Sequence, residues 1–408
     1  MCAAHGRLTD DPGVPVVVHP VFDLAVCFAF GACVGSFLNV VILRTPEGRS
    51  VWHPPSHDPA TGKKLAWWEN IPLLSYALLR GKSRHTGEHI SWQYPLVEAV
   101  TALMFVGLYA FWFFTPYRPV LDTLGFWGGW SVYASAVVLL SALLAATVID
   151  IRSMIIPIQI PWTAAVVCGV LLTVGAALDM PSRHLLYPTS SEPLLPWGDW
   201  TMFGAGAGGV AGMIAAALLL RLGVLPQSFS DEQVMFDAMP EEKKNDPEAF
   251  LEYPHPRREM VKECLFAGVV LLGSLGGYLI AVHGAGGWPA IPAWASTAGA
   301  CAAGLVVAAG LVWAARILGT LALGKEAMGL GDVHLMAGIG VVVGPLDAVL
   351  VFFLAPFLGL AGTVLTAGVA AMTSGRVRAV PYGPYLAAAA TLVVVLGRDR
   401  IDLFDIFP

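Results

Sequence analysis

Charge is the first thing this chain is short of. Asp, Glu, Lys and Arg make up 13% of its 408 residues, against roughly 25% in a soluble domain. Hydrophobic residues supply 56% and the mean hydropathy is +0.69, which excludes an ordinary water-soluble globule. There is no basic surplus either, the net charge being −6, so no nucleic-acid partner is expected. The six cysteines (Cys2, Cys27, Cys33, Cys168, Cys264, Cys301) show no paired spacing. They read as small apolar residues rather than disulfides or metal ligands. The chain start lacks the basic stretch and small-residue cleavage site of a signal peptide, so the first apolar run reads as a retained span. No internal repeat is evident, which counts against an inverted-repeat transporter. No glycine-rich nucleotide fingerprint occurs.

Long apolar runs fill the space that charge leaves. Stretches of about 20 apolar residues suit a membrane-crossing helix. They fall near 21–43, 95–115, 129–149, 159–179, 201–222, 262–283, 293–320, 346–372 and 382–397, and a shorter run at 333–344 reads as a half-helix or tilted span. The fold class expected is all-α, a polytopic transmembrane bundle of about nine or ten membrane helices with cytoplasmic loops. The 44 glycines suit close helix packing in lipid.

Two polar segments interrupt the spans. The first, 44–93, carries Arg44, Arg49, Lys63, Lys64, Arg80, Lys82 and Arg84 against Glu47, Asp58, Glu69 and Glu88. Such a basic excess beside a first span marks the cytoplasmic side. Counting spans from there brings Asp150 and Asp332 to the same face, and Arg376 and Arg378 fall in another cytoplasmic turn. The second polar segment, 223–261, contains the acidic run DEQVMFDAMPEEKKNDPEAF and reads as a solvated linker.

Asp150, in AATVIDIRSMIIP, and Asp332, in GKEAMGLGDVHL, each border a long apolar run. An ionisable group at that depth is costly and is retained for a task such as catalysis or ion movement. Two carboxylates brought together can hold one proton between them, the arrangement that activates water against a peptide bond. Gly329 and Gly331 precede Asp332; they permit backbone angles closed to other residues and leave room for an extended substrate. After Asp150, Pro157 fits the first turn of a new helix.

The chain resembles the type IV prepilin peptidases, the leader peptidase and N-methyltransferase family of GxGD aspartic membrane proteases. The segments that carry the resemblance are GSFLNVVILRTP (Gly35 to Pro46), ENIPLLSYALLRGKSR (Glu69 to Arg84) and YPLVEAVTALMF (Tyr94 to Phe105), followed by the Asp150 segment, GKEAMGLGD (Gly324 to Asp332) and VPYGPYLA (Val380 to Ala387). The resemblance implies a catalytic dyad of Asp150 and Asp332, with Gly329 and Gly331 as substrate-binding or backbone support. It implies removal of a basic leader from pilin or pseudopilin precursors at the cytoplasmic face of the inner membrane. It further implies methylation of the new N-terminus with S-adenosylmethionine in many members, and pilus or type II secretion assembly proteins as partners. The organisation expected is a leader segment 1–20, an N-terminal prepilin peptidase domain 21–128 and an aspartic peptidase membrane domain 129–397. An inserted hairpin occupies about 200–284, and 398–408 forms a tail.

Many relatives place two CxxC pairs in the first loop, a tetrathiolate zinc site. Here those positions are Asp58, Thr61, Ser83 and Thr86, poor zinc ligands, so no zinc is expected and the peptidase needs no cofactor. The histidines His53, His57, His85 and His89 read as polar loop residues, with packing of Trp52, Trp67, Trp68 and Trp92 holding the loop. The missing thiols leave methylation open. His334 stands where relatives often have lysine and reads as a polar residue facing a helix. The alternative from another class is an ion- or proton-coupled transporter with the aspartates as relay groups. That reading would place them near the bilayer midplane rather than at one face.

Overall fold

The computed structural model describes residues 20–54, 61, 64, 66–84, 86–115, 119–178, 196–229, 255–373 and 381–397. Apolar composition and the need to satisfy backbone groups without water make helices of nearly all of it. These are α1 (Pro20–Arg44), the short α2 (Leu74–Leu78), α3 (Gln93–Phe113), α4 (Pro119–Ser153) and α5 (Gln159–Leu178). Then follow α6 (Trp200–Arg221), α7 (Pro256–Gly284), α8 (Ala293–Leu323), α9 (Leu330–Thr373) and α10 (Gly383–Leu396). Among the described residues there is no strand, only an isolated bridge between Lys82 and His89. Eight of the helices are long and apolar enough to cross a membrane and α10 is a shorter apolar one. The chain is a multi-pass, all-α membrane protein.

The runs 333–344 and 346–372 are separate helical pieces, as expected: α9 consists of two limbs broken at Gly344, whose φ of 81° and ψ of 176° no helix accommodates. Pro345 follows and cannot donate back into the first limb. Gly344 and Pro345 line one cavity with Val393, Val394 and Gly397 at the end of α10. Farther on, Gly359 and Gly362 pack on Tyr385 near the start of α10. The second limb therefore returns toward the end from which the first set out.

Helices α4, α5, α8, α9 and α10 form the centre; α1 and α3 pack together against α4, while α6 and α7 pack together against α8. Small residues bring the backbones close where hydrophobic association gives no drive in lipid. A Cβ on Gly35 of α1 would stand 2.7 Å from Cα of Glu98 in α3, and one on Gly340 of α9 would stand 2.5 Å from Cβ of Ala308 in α8. The exposed face of α7 carries Leu271, Leu272, Leu275 and Ile280, a surface suited to lipid. Cys168 and Cys301 are buried in the core, whereas Cys33 and Cys264 face outward.

In the first loop the tryptophans do less than expected. Trp52 and Trp92 are 75% and 77% exposed, lying against Phe37 and Tyr76 at 5.8 and 5.4 Å between ring centres. Trp68 lies under the Arg84 guanidinium at 5.2 Å. Polar ties hold the loop more directly: Glu98, buried in α3, accepts from the Leu73 N–H at 2.7 Å. The Arg44 guanidinium donates to the Pro54 carbonyl at 2.8 Å. Asp58, His57, His85, Arg376, Arg378, the side chain of Trp67 and most of the acidic loop 223–261 lie outside the described residues.

Candidate active site

Asp150 lies in the last turn of α4. Its carbonyl accepts from the Met154 N–H at 2.8 Å, and Met154, at φ 53°, turns the chain sharply in a left-handed conformation unusual for a side-chain-bearing residue. Pro157 falls in this link rather than inside α5; Pro161 is the proline in the first turn of α5. The link returns the chain along α4 and leaves Ile156 pointing inward, 8% exposed. Asp332 lies in the first turn of α9, with its N–H donating to the Gly329 carbonyl at 3.3 Å.

Ile156 and Gly383 bring the two carboxylates to one place. A Cβ on Gly331, just before Asp332, would come 3.0 Å from the Ile156 Cβ; one on Gly383, the first residue of α10, would come 3.0 Å from the Ile156 Cδ1 and overlap the Asp150 carboxylate. The Gly383 N–H donates to that carboxylate. Asp332 lies within electrostatic reach of Asp150 and of the Arg316 guanidinium. Asp150 and Asp332 are 4% and 8% exposed. Around them Gly329, Leu330, Met154 and Ile155 are open, so the pair is sunk just inside an accessible rim. Beside it stands Tyr382, whose phenol is pushed up to about 12 by burial and by the Asp332 carboxylate. That hydroxyl remains a donor throughout the physiological range.

Neither Gly329 nor Gly331 has a left-handed φ, so an unusual backbone angle is not what they supply. A Cβ on Gly331 would crowd Ile156 at 3.0 Å, whereas one on Gly329 would meet Asp332 Oδ2 at an ordinary 3.5 Å. His334 accepts from the Trp162 indole N–H at 3.3 Å, so it faces α5 as a polar packing residue. Among the described residues no group of three or more His, Cys, Asp or Glu side chains could hold a metal ion.

Further polar side chains tie the site to its surroundings, and the pattern of isolated carboxylates did not single them out. Arg152 donates to Gln93 of α3, Gln93 donates to the side-chain amide oxygen of Asn39 at 3.5 Å, and buried Asn39 donates to the Tyr94 backbone carbonyl at 3.1 Å. On the other flank Arg316, only 2% exposed, binds Glu263 and Glu326. The rule that flagged the aspartates applies equally to Arg316, which interrupts the apolar run 293–320, and to Glu263 at the border of the run 262–283.

The family model described as the bacterial peptidase A24 N-terminal domain matches residues 29–113. The chain is 36% identical to the prepilin leader peptidase/N-methyltransferase of Xanthomonas campestris pv. campestris, over 45% of this chain and 67% of that protein. It is 34% identical to the protein of the same name from Myxococcus xanthus, over 52% of this chain and 61% of the relative. A third, from Pectobacterium carotovorum subsp. carotovorum, is 38% identical over 31% of this chain and 48% of the relative. No solved structure matches.

Proposed function

The chain belongs to the prepilin leader peptidase/N-methyltransferase family, and from that premise we propose that it is a membrane aspartic endopeptidase with Asp150 and Asp332 as its catalytic pair. The substrate is a precursor of the prepilin or pseudopilin kind, with a short basic leader ahead of an apolar helix. The observation that carries the reading is the meeting of two almost fully buried carboxylates from distant segments at one open rim of the bundle. A transport relay would instead place them toward the middle of the membrane.

The chemistry follows from two carboxylates holding one proton. The ionised member takes a proton from a water molecule, which attacks the scissile carbonyl. The protonated member donates a hydrogen bond to that carbonyl oxygen, and its proton passes to the leaving amine. The two titrate as one coupled unit, so neither is assigned a fixed role. Gly329 leaves space for an extended backbone at the rim, Gly331 lets α9 close on Ile156, Gly383 steadies Asp150 through its N–H, and Tyr382 adds a neutral donor. Cutting at the rim suits a substrate whose apolar helix stays in the bilayer while its basic leader lies in water.

The orientation proposed puts the pair on the cytoplasmic side of the inner membrane, supported by the lysines and arginines of 44–93. Residues 21–128 form the N-terminal domain on this reading and 129–397 the peptidase domain, with a hairpin at about 200–284. The products would enter pilus or type II secretion assembly. Methyl transfer is named for the relatives and would need S-adenosylmethionine. A cavity of about 810 Å³ does not fit that group: Trp112, Leu172, Trp197 and Val307 make its lining largely apolar, and it is lined at Gly344 and Gly397. From Asp332 to Gly344 is roughly 18 Å along α9 at about 1.5 Å per residue, too far from a new N-terminus at the rim. No step is routed through that group.

The test is cleavage of a prepilin-like precursor in membranes by the wild type, Asp150→Asn and Asp332→Asn, with mass analysis of the products. Loss of cleavage in both, at normal membrane levels, is expected. Cutting by either variant would overturn the assignment.

A further inference from the structure

The hairpin of α6 and α7 has no place in the chemistry just described, yet α7 sends a carboxylate into the centre of the bundle. Glu263 is 3% exposed. Its Oε1 accepts from Arg316 Nη2 at 3.1 Å and Nε at 3.2 Å, and its Oε2 accepts from Nε at 3.2 Å. Trp313, one turn earlier on α8, donates its indole N–H to the same Oε2 at 2.7 Å. Glu263 thus fixes the Arg316 guanidinium from one side. A cation so buried would be strongly unfavourable without such partners.

The other edge of the guanidinium faces the segment leading to Asp332. Arg316 Nη1 donates to the Glu326 carboxylate and to the Met328 carbonyl. The Ala327 N–H between them donates to Thr320 Oγ1 at 3.1 Å. The turn starts from Gly324, left-handed at φ 73° after the end of α8. After Met328 the chain has only Gly329 to Gly331 before Asp332. A planar guanidinium with donors on two edges can join two carboxylates and a carbonyl in one geometry; a lysine ammonium cannot reproduce that fork.

We propose that Arg316 is a positioning residue for Asp332, and that the hairpin serves the active site by holding Arg316 through Glu263. The hairpin acts as a clamp: Glu263 orients the guanidinium, the guanidinium fixes Glu326 and Met328, and that turn sets where Asp332 enters α9. This rests on the reading of Asp332 as one of the catalytic pair.

The experiment measures kcat and KM for leader removal from a synthetic prepilin-like precursor by the full chain in proteoliposomes. Glu263→Gln and Arg316→Lys are each expected to lower kcat about 10-fold or more with KM within about twofold, as loss of positioning does. The double variant should be no slower than Arg316→Lys alone, because the two residues act as a unit. Ser274→Ala, which removes a 2.9 Å hydrogen bond to Ala205 inside the hairpin, should cut at the wild-type rate. Trp313→Phe keeps every charge and serves if a charge variant does not accumulate; it should lower kcat about threefold, again with KM unchanged. The clamp is overturned if Glu263→Gln and Trp313→Phe both match the wild type. It is equally overturned if KM alone moves, if the double variant is multiplicatively slower, or if Ser274→Ala is as slow as Glu263→Gln. An inactive Asp332→Asn beside fully active clamp variants would sink the clamp alone, whereas an active Asp332→Asn would sink the catalytic assignment with it.

Discussion

Gly383→Ala offers the most direct strike on the proposed catalytic pair without touching either carboxylate. The added Cβ would overlap Asp150 Oδ2 and come 3.0 Å from Ile156 Cδ1 and 3.3 Å from the Asp150 Cγ. To restore ordinary van der Waals contact the carboxylate must retreat by about 1 Å. A displacement of that size at a reacting group costs on the order of 100-fold in rate, about 2.7 kcal/mol at about 1.36 kcal/mol per tenfold. Folding should barely notice, because the Asp150 carboxylate can swing aside. Alanine in a helix also recovers roughly 0.5–1 kcal/mol over glycine. The assay is the initial rate of leader removal, read beside the membrane level and thermal midpoint of the variant. Gly329→Ala makes the contrast, since its Cβ would meet Asp332 Oδ2 at an ordinary 3.5 Å and the Gly331 nitrogen at 3.9 Å; kcat should stay near wild type, with any loss confined to KM. A fully active Gly383→Ala would refute the view that Asp150 must sit where Gly383 puts it.

Other expectations concern stability and pH. Gly340→Ala drives a Cβ into the Gly304 carbonyl and to 2.5 Å from the Ala308 Cβ, so it should destabilise by about 1–3 kcal/mol as overpacking does, seen as a lower thermal midpoint in detergent. Asp199 caps α6 by accepting from the Met202 N–H at 2.9 Å, and the Thr201 hydroxyl and that N–H hold its carboxyl below the usual range. Asp199→Ala should cost about 0.5–2 kcal/mol, with the cap's contribution present at neutral pH and lost in acid as the carboxylate protonates. The Tyr382 phenol, raised to about 12, keeps its proton where an unfolded tyrosine begins to lose it, near 10. Its contribution to stability is therefore complete below about pH 10 and declines toward 12, and Tyr382→Phe should flatten that decline in a titration of the thermal midpoint.

The helices and their all-α arrangement were legible because a bilayer leaves few alternatives: an apolar run of sufficient length has to be a helix. The aspartates were legible for the related reason that a carboxylate beside such a run stands out. The break between the runs 333–344 and 346–372 was legible too, and the backbone turns there at Gly344. Two features were not. The glycines before Asp332 looked like sites of unusual φ, but steric crowding by Ile156 is a relation between distant segments that no local pattern carries. Arg316 stands as a solitary charge in an apolar run, Glu263 follows Lys262 at the start of another, and their pairing depends on α7 packing against α8. The tryptophans of the first loop misled in the opposite way, since aromatic content was read as core while Trp52 and Trp92 cover surface.

Each aspartate is tied to a different flank of the molecule. The end of α4 that bears Asp150 is linked through Arg152 and Gln93 to α3, and through Asn39 to α1. The turn that delivers Asp332 is linked through Arg316 to α7 of the hairpin. Between them lie the packing of Ile156 on Gly331 and the Gly383 contact with Asp150. Two carboxylates that share a proton are sensitive to their separation, since their mutual repulsion and hydrogen bonding both change over tenths of an ångström. A site at a bundle's rim has lipid and water on its open side and cannot be packed rigid from every direction, so its geometry has to be imposed laterally. On the proposed reading the peripheral helix pairs do that, α1 and α3 at the end of α4 that bears Asp150 and α7 of the hairpin at the turn that delivers Asp332, which is a physical reason for them to flank a centre that already contains both aspartates.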